Sequence, residues 1–146
     1  MKRVFKVREI IQMKILKVIV CKAGKGVSAH LPEIDGYVIT RESVEKLKHD
    51  IPSGIAFHIE GLYDEERESW MNEPFDFEFL FHDIPTMIEG YNGLINQSSL
   101  ARISGINESL MRQYVAGIKR PGRKVTERIE LGLKKYADEL RSISFV

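Results

Sequence analysis

Residues 97–122 read QSSLARISGINESLMRQYVAGIKRPG, and this stretch decides how the last third of the chain folds. Its apolar residues recur every three or four positions before and after Gly105, as one buried face of each of two short helices requires. Gly105 tolerates a positive φ in the turn between them, Asn107 suits the N-cap of the second helix, and Gly117 suits its end. The stretch therefore predicts two short helices joined by a tight turn.

Small and apolar residues occupy the positions at which two such helices would touch. Ala101 is small where the second helix would cross the first, and Ile106 would fill the core after the turn. The inward residues of the second helix would be Leu110, Met111, Tyr114 and Val115. This geometry predicts a helix-turn-helix. The spacing from Ala101 through Gly105 to Arg120-Pro121 resembles that motif in the Cro/lambda-repressor type.

Helices on either side would complete an all-α unit over residues 84–142. Asp83 or Ile84 begins one helix, in which Pro85 is tolerated in the first turn. Its buried side would be Ile84, Met87, Ile88, Tyr91 and Ile95. The other is predicted over Val125–Leu140, with Ile129, Leu133, Tyr136 and Leu140 inward. We place the boundary with the preceding domain between Phe81 and Tyr91.

The outward side chains of the second short helix are typical of DNA contacts. They are Glu108, Ser109, Arg112 and Gln113, which we predict to contact bases. Arginine and glutamine offer donors suited to guanine and adenine. Phosphate contacts are predicted for Gln97, Ser98, Lys119, Arg120, Arg123 and Lys124. The alternative is that two amphipathic helices match the motif only in part and that the basic residues are a solvated face.

Charge is unevenly distributed along the chain although the net charge is only +1. Residues 1–41 sum to +6, residues 42–95 to −10 and residues 96–146 to +5. A basic end beside an acidic middle predicts two binding surfaces with different partners. The basic end suits double-stranded DNA, and the acidic middle suits a basic protein.

The front of the chain, residues 13–82, shows the patterns of a small sheet with one helix. Short apolar or alternating runs predict strands over Met13–Cys21, Val27–Leu31, Tyr37–Ile39 and Phe75–Phe81. In the last of these, four phenylalanines alternate with mostly polar residues, so one aromatic face should be buried. The acidic stretch Tyr63–Pro74 is predicted to be a loop. We expect an α+β domain with an antiparallel sheet.

The helix of this domain is predicted to begin at Thr40, with Glu42 in its first turn. Its buried face would be Val44, Leu47, Ile51, Ile55, Ile59 and Leu62. Pro52 interrupts this pattern, because proline removes a backbone hydrogen bond. We expect either a kink or two abutting helices there.

This front domain resembles the HicB-type antitoxins of toxin–antitoxin systems. The resemblance lies in the Val18–Val20 and Val27–Leu31 strands, the Gly36-Tyr37 step, and Thr40 leading into a helix that ends in the residues HIEGL. It covers about residues 13–142, including the helix-turn-helix. It implies a reduced RNase H-like fold that binds a small basic HicA-type ribonuclease toxin. It also implies repression of the protein's own promoter, as a homodimer or higher oligomer.

Acidic residues and one tryptophan are our candidates for contact with such a toxin. They are Glu65, Glu66, Glu68, Trp70, Asp76 and Glu78. The alternatives are that the acidic loop only aids solubility and that Trp70 only covers the core. A regulator that has no toxin partner is the alternative function.

Catalysis, cofactors and metals are not expected. A weak RNase H-like nuclease would need several converging carboxylates. Glu33 with Asp35, or Asp76 with Glu78, are the pairs to consider, but the strands that would carry the catalytic acids read IVC and VSAH and contain none. The scattered histidines and single cysteine, Cys21, give no zinc spacing. We expect a cytoplasmic, non-membrane protein, and in residues 1–12 an extension without fixed structure, with Met13 as an alternative start.

Overall fold

The computed structural model describes residues 13–146, which form two compact units, the first ending at His82 and the second beginning at Asp83. The expectation for residues 1–12 lies outside the described residues. A four-stranded sheet and the helices make the fold class α+β, as predicted. No helix in the described part of the chain is both long enough and apolar enough to cross a membrane.

The sheet of the first unit is mixed rather than antiparallel. Its strands are β1 (Lys14–Ala23), β2 (Gly26–His30), β3 (Val38–Arg41) and β4 (Phe75–Phe81), in the spatial order β3-β2-β1-β4. The pairs β1–β2 and β2–β3 are antiparallel, whereas β4 is parallel to β1, with Lys14 opposite Phe75. The predicted antiparallel sheet is therefore wrong at β4. A parallel neighbour needs a long crossover, and the helix with its following turns supplies it.

The crossover helix α1 spans Val44–Glu60, later than predicted. Its N-cap is Ser43, whose side chain accepts a hydrogen bond from the Lys46 backbone N–H at 3.2 Å. Thr40 cannot be the cap because it lies in β3, opposite Ser28. The helix is continuous through Pro52, so the expectation of two abutting helices is wrong.

The core of the first unit lies between α1 and the sheet. Every predicted inward residue of α1 up to Ile59 is buried, together with the inward residues of β1 and β2. The four phenylalanines of β4 are partly buried against this core, while Asp76 and Glu78 are exposed. The predicted loop Tyr63–Pro74 contains two short 3-10 helices, Asp64–Glu66 and Ser69–Asn72.

The second unit consists of four helices. They are α2 (Ile84–Gly90), α3 (Gln97–Ser104), α4 (Glu108–Val115) and α5 (Arg123–Arg141). Asp83 caps α2, and its side chain accepts from the Thr86 backbone N–H at 2.9 Å. The buried apolar residues of this unit are Met87, Leu100, Ala101, Ile106, Met111, Tyr114 and Ile129.

The apolar stripe of α5 is covered only in its first half. Ile129 is 4% exposed, as predicted, and Leu133 is half-buried. Tyr136 and Leu140, also predicted to face inward, are 47% and 49% exposed. The prediction is wrong for these two because α5 extends beyond the buried residues of the unit, so its last turns contact no core.

Candidate nucleic-acid and partner interfaces

The turn between α3 and α4 has the conformation that the sequence predicts. Gly105 ends α3 with a φ of 64° and a ψ of 32°, in the left-handed region. The Asn107 side-chain oxygen accepts from the backbone N–H groups of Ser109 and Leu110, at 2.8 and 3.3 Å, and so caps α4. After α4 the chain turns at Gly117, which has a φ of 74°. Two eight-residue helices are thereby held on either side of a short, specific connection.

The exposed face of α4 holds all four residues predicted to contact bases. Glu108, Ser109, Arg112 and Gln113 are exposed, while Met111 and Tyr114 on the opposite face are buried. The helix therefore fixes its own position through one face and presents the other to solvent. That face combines one carboxylate, one hydroxyl, one guanidinium and one amide, a set that can read the edges of base pairs.

Two of the predicted contact residues bind each other. The Ser98 hydroxyl donates to a carboxylate oxygen of Glu108 at 2.7 Å. This hydrogen bond joins the first turn of α3 to the first turn of α4. The neighbouring Gln97 is half-buried at the start of α3. Asn96 caps that helix by accepting from the Ser99 backbone N–H at 2.8 Å.

The basic residues predicted to contact phosphate lie between α4 and the first turn of α5. Lys119, Arg120, Arg123 and Lys124 are all exposed. The backbone N–H of Lys119 donates to the carbonyl of Gln113 at 3.3 Å, which keeps this segment close to the end of α4. Arg123 forms an exposed ion pair with Glu127 at 3.0 Å. Such a pair contributes little in water, so phosphate can compete for the guanidinium.

Two residues of α5 that support the turn were missed from the sequence. The Arg128 guanidinium donates to the carbonyl oxygen of Gly105. Gly132 lies where α5 meets α3, and a Cβ there would stand 2.3 Å from the Ile103 carbonyl oxygen. The close contact at Gly132 could have been suspected from the sequence, because a glycine inside an amphipathic helix often marks a close approach. Arg128 gives no sequence signal that separates it from the other basic residues of α5.

The candidate toxin-contacting residues fall on two sides of the first unit. Asp76 and Glu78 alternate with phenylalanines that pack on the core, so they lie on the face of β4 away from α1. Trp70 packs edge-on against Phe75, with ring centres 5.9 Å apart, on the core side. Covering the core is thus one role that Trp70 does fill.

Two other acidic candidates, Glu66 and Glu68, line a cleft of about 470 Å³, which we call the acidic cleft. Glu65 is exposed and does not line it. Among its lining residues are Lys14, Glu33, Asp35, His58, Glu66, Glu68 and Trp70. Glu68 accepts from the Trp70 indole N–H at 2.7 Å, and Glu66 accepts from the Tyr63 backbone N–H at 2.9 Å. One carboxylate oxygen of Glu33 is buried without a hydrogen-bond partner among residues 13–146. The Lys14 ammonium lies over the Trp70 ring, 5.7 Å from its centre.

No three histidine, cysteine, aspartate or glutamate side chains among residues 13–146 are placed to hold a metal ion. Asp50 on α1 has a pKa below its usual value because it accepts hydrogen bonds from His49 and Arg41. Burial raises the pKa of the Tyr37 phenol. Neither group lines the acidic cleft.

Comparison of the chain with models of known families, with curated proteins and with solved structures gives no match.

Proposed function

We propose that α3 and α4 form a helix-turn-helix that binds double-stranded DNA and represses the promoter of the protein's own gene. The observation that supports this most directly is the exposed face of α4, with Arg112 and Gln113 one turn after Ser109. Its opposite face is buried, and the connection before it is capped by Asn107. A recognition helix needs this combination of a fixed base and a free polar face.

The charges around α4 support the same proposal. The exposed cations Lys119 and Lys124 follow the helix, and residues 96–146 sum to +5. Each cation that neutralises a phosphate releases a counterion, so affinity should fall steeply with salt. Glu108, held by Ser98, is the one acid of this face, and its free acceptor capacity suits the amino group of cytosine or adenine.

The test measures binding of the full chain to fragments from upstream of its own gene, by fluorescence anisotropy at several salt concentrations. Changing Arg112 and Gln113 to alanine should cost about 1–3 kcal/mol for each lost base contact. Lys119→Ala should weaken binding to all sequences and reduce the salt slope by about one. Lys134→Ala, which removes an equal charge from the far half of α5, is the control. Wild-type affinity in the Arg112/Gln113 double variant would refute the assignment.

We propose further that the first unit binds a small basic ribonuclease toxin, so that the protein is the antitoxin of such a pair. Support comes from the acidic cleft, which Glu33, Glu66 and Glu68 line beside Trp70. Carboxylates lining a cleft are electrostatically complementary to the basic side chains of a bound protein. Trp70, which already faces the Lys14 ammonium, could accept such a cation over its ring.

Two experiments test this role. The first is co-purification of the full chain with the protein encoded by the neighbouring gene, and the second is rescue of growth by the full chain when that neighbouring protein is expressed. Glu66→Lys combined with Glu68→Lys should abolish both. Glu42→Lys combined with Glu45→Lys makes the same charge change at exposed positions outside the cleft and should abolish neither. DNA binding without any complex would favour a regulator that has no toxin partner. Metal-dependent cleavage of RNA by the purified chain would instead indicate a nuclease.

A further inference from the structure

The second half of α5 exposes an apolar surface. Every residue from Lys134 to Val146 is exposed, whereas Ile129 and Gly132 earlier in the helix are buried. The exposed fractions are 47% for Tyr136, 49% for Leu140 and 56% for Ile143. Large apolar side chains exposed together often mark a contact site. The apolar face at the end of α5 is therefore suited to contact with a partner.

The exposed residues lie on one face. Leu133, Tyr136, Leu140 and Ile143 are separated by three, four and three positions, the spacing of one helix face. Ile143 follows the end of α5, but its backbone N–H donates to the Leu140 carbonyl at 3.2 Å, so the turn continues to it. Ile129, four residues before Leu133, lies on the same face inside the core. The stripe is thus the continuation of a buried face beyond the body of its unit.

We propose that this stripe pairs antiparallel with the same stripe of a second copy of the chain. Steps of three, four and three read the same in both directions, so a two-fold axis matches the stripe to itself. Leu133 then meets Ile143 of the partner subunit, and Tyr136 meets Leu140 of the partner subunit. The buried residues of α5, Ile129 and Gly132, lie in its first half, so the other helices of the unit pack there. An antiparallel pair places the two bodies at opposite ends, whereas a parallel pair would bring them to the same place.

The area available sets the strength of this contact. A large aromatic side chain buries roughly 150–250 Å² when it is fully covered. With this range taken as an upper bound for leucine and isoleucine as well, the exposed fractions of Tyr136, Leu140 and Ile143 give about 230–380 Å² per copy, a size at which exposed patches often mark contact sites. Two copies would bury at most about 760 Å² through these side chains, below the roughly 1,000 Å² of a stable specific interface. The dimer should therefore be weak and should dissociate on dilution.

Sedimentation of the full chain from micromolar to millimolar concentrations tests the pairing. We expect a reversible monomer–dimer equilibrium that Leu140→Glu shifts to monomer, with the helical circular dichroism unchanged. Leu131→Glu is the matched control, because Leu131 is 68% exposed on the opposite side of α5. A wild-type chain that remains monomeric throughout, or a dimer that Leu140→Glu leaves intact, would overturn the proposal.

Disulfide trapping tests the orientation. Chains with Tyr136→Cys and chains with Leu140→Cys, mixed and oxidised, should form the mixed dimer in excess of either self-dimer, and the unsubstituted chain gives the background from Cys21. Preferential self-dimers of Tyr136→Cys would overturn the antiparallel arrangement.

The dimer does not depend on DNA, but its consequence, binding to paired half-sites, rests on the proposed function. A Leu140→Glu chain that binds one half-site normally but loses cooperativity on two supports both proposals. If the wild-type chain does not bind even a single half-site, the DNA-binding proposal is refuted and the dimer proposal is not.

Discussion

Replacing Gly132 with alanine tests the close approach of α5 to α3. In the described structure a Cβ at this position would lie 2.3 Å from the carbonyl oxygen of Ile103 and 2.8 Å from its carbonyl carbon. Both are backbone atoms of α3, so no side-chain rotation can relieve the overlap. The two helices would have to separate, and the turn at Gly105, which Arg128 also supports from α5, would move with them.

The expected size of the effect follows from two opposing terms. Alanine in a helix interior is favoured over glycine by about 1 kcal/mol. Overpacking typically costs about 1–3 kcal/mol, and we expect the upper part of that range because backbone must move. The second unit should therefore lose about 1–2 kcal/mol in its free energy of unfolding. Helix propensity alone predicts that Gly132→Ala raises the free energy of unfolding, so the sign of the measured change distinguishes the two effects.

Gly54→Ala in α1 is the matched comparison. Its Cβ would also come within 2.3 Å of another atom, but that atom is the phenol oxygen of Tyr37, at the end of a side chain that can rotate. We expect this variant to change stability by less than about 1 kcal/mol. Amide hydrogen exchange of the full chain reports each unit separately. Faster exchange in α3 and α5 of Gly132→Ala is expected, and slower exchange there would refute the close approach.

Two further predictions concern single hydrogen-bonded side chains. Because the folded pKa of Asp50 is lowered by His49 and Arg41, its contribution to stability should be present above the ordinary aspartate pKa of about 3.9 and lost as pH falls through the folded value. Asp50→Asn should thus lower the urea midpoint at pH 7 and make no difference in strong acid, and an equal difference at both would contradict this. Asn107→Ala removes a cap that accepts two backbone hydrogen bonds, so the second unit should lose about 1 kcal/mol. An unchanged melting temperature for that unit would show that the cap is dispensable.

Local chemistry made much of the second unit predictable. The positive φ of Gly105, the cap at Asn107 and the burial of Ile106 each follow from residues within a few positions of one another. The exposed Tyr136 and Leu140 were not predictable, since periodicity defines an apolar face but not what covers it. The DNA and toxin contacts stay predictions.

The first unit was harder because its sheet depends on distant pairing. Alternation identified Phe75–Phe81 as a strand, but a two-residue period says nothing about which neighbour it joins or in which direction. The start of α1 was misplaced for a similar reason. Thr40 and Ser43 are both good caps, and pairing of β3 with β2 commits Thr40 to the sheet. The 3-10 helices in the acidic stretch have no periodic signal at all.

The parallel pairing of β1 with β4 has a consequence for folding of the nascent chain during synthesis. Lys14 finds its neighbour Phe75 only after the whole intervening segment has left the ribosome. Until then one side of β1 presents unsatisfied backbone groups, a template for unwanted association with other strands. The helices of the second unit fold through contacts between residues close in sequence, which form quickly. The pairing of β1 with β4 joins residues far apart in sequence and is intrinsically slow. Protein quality control would therefore meet this chain first at its amino-terminal sheet.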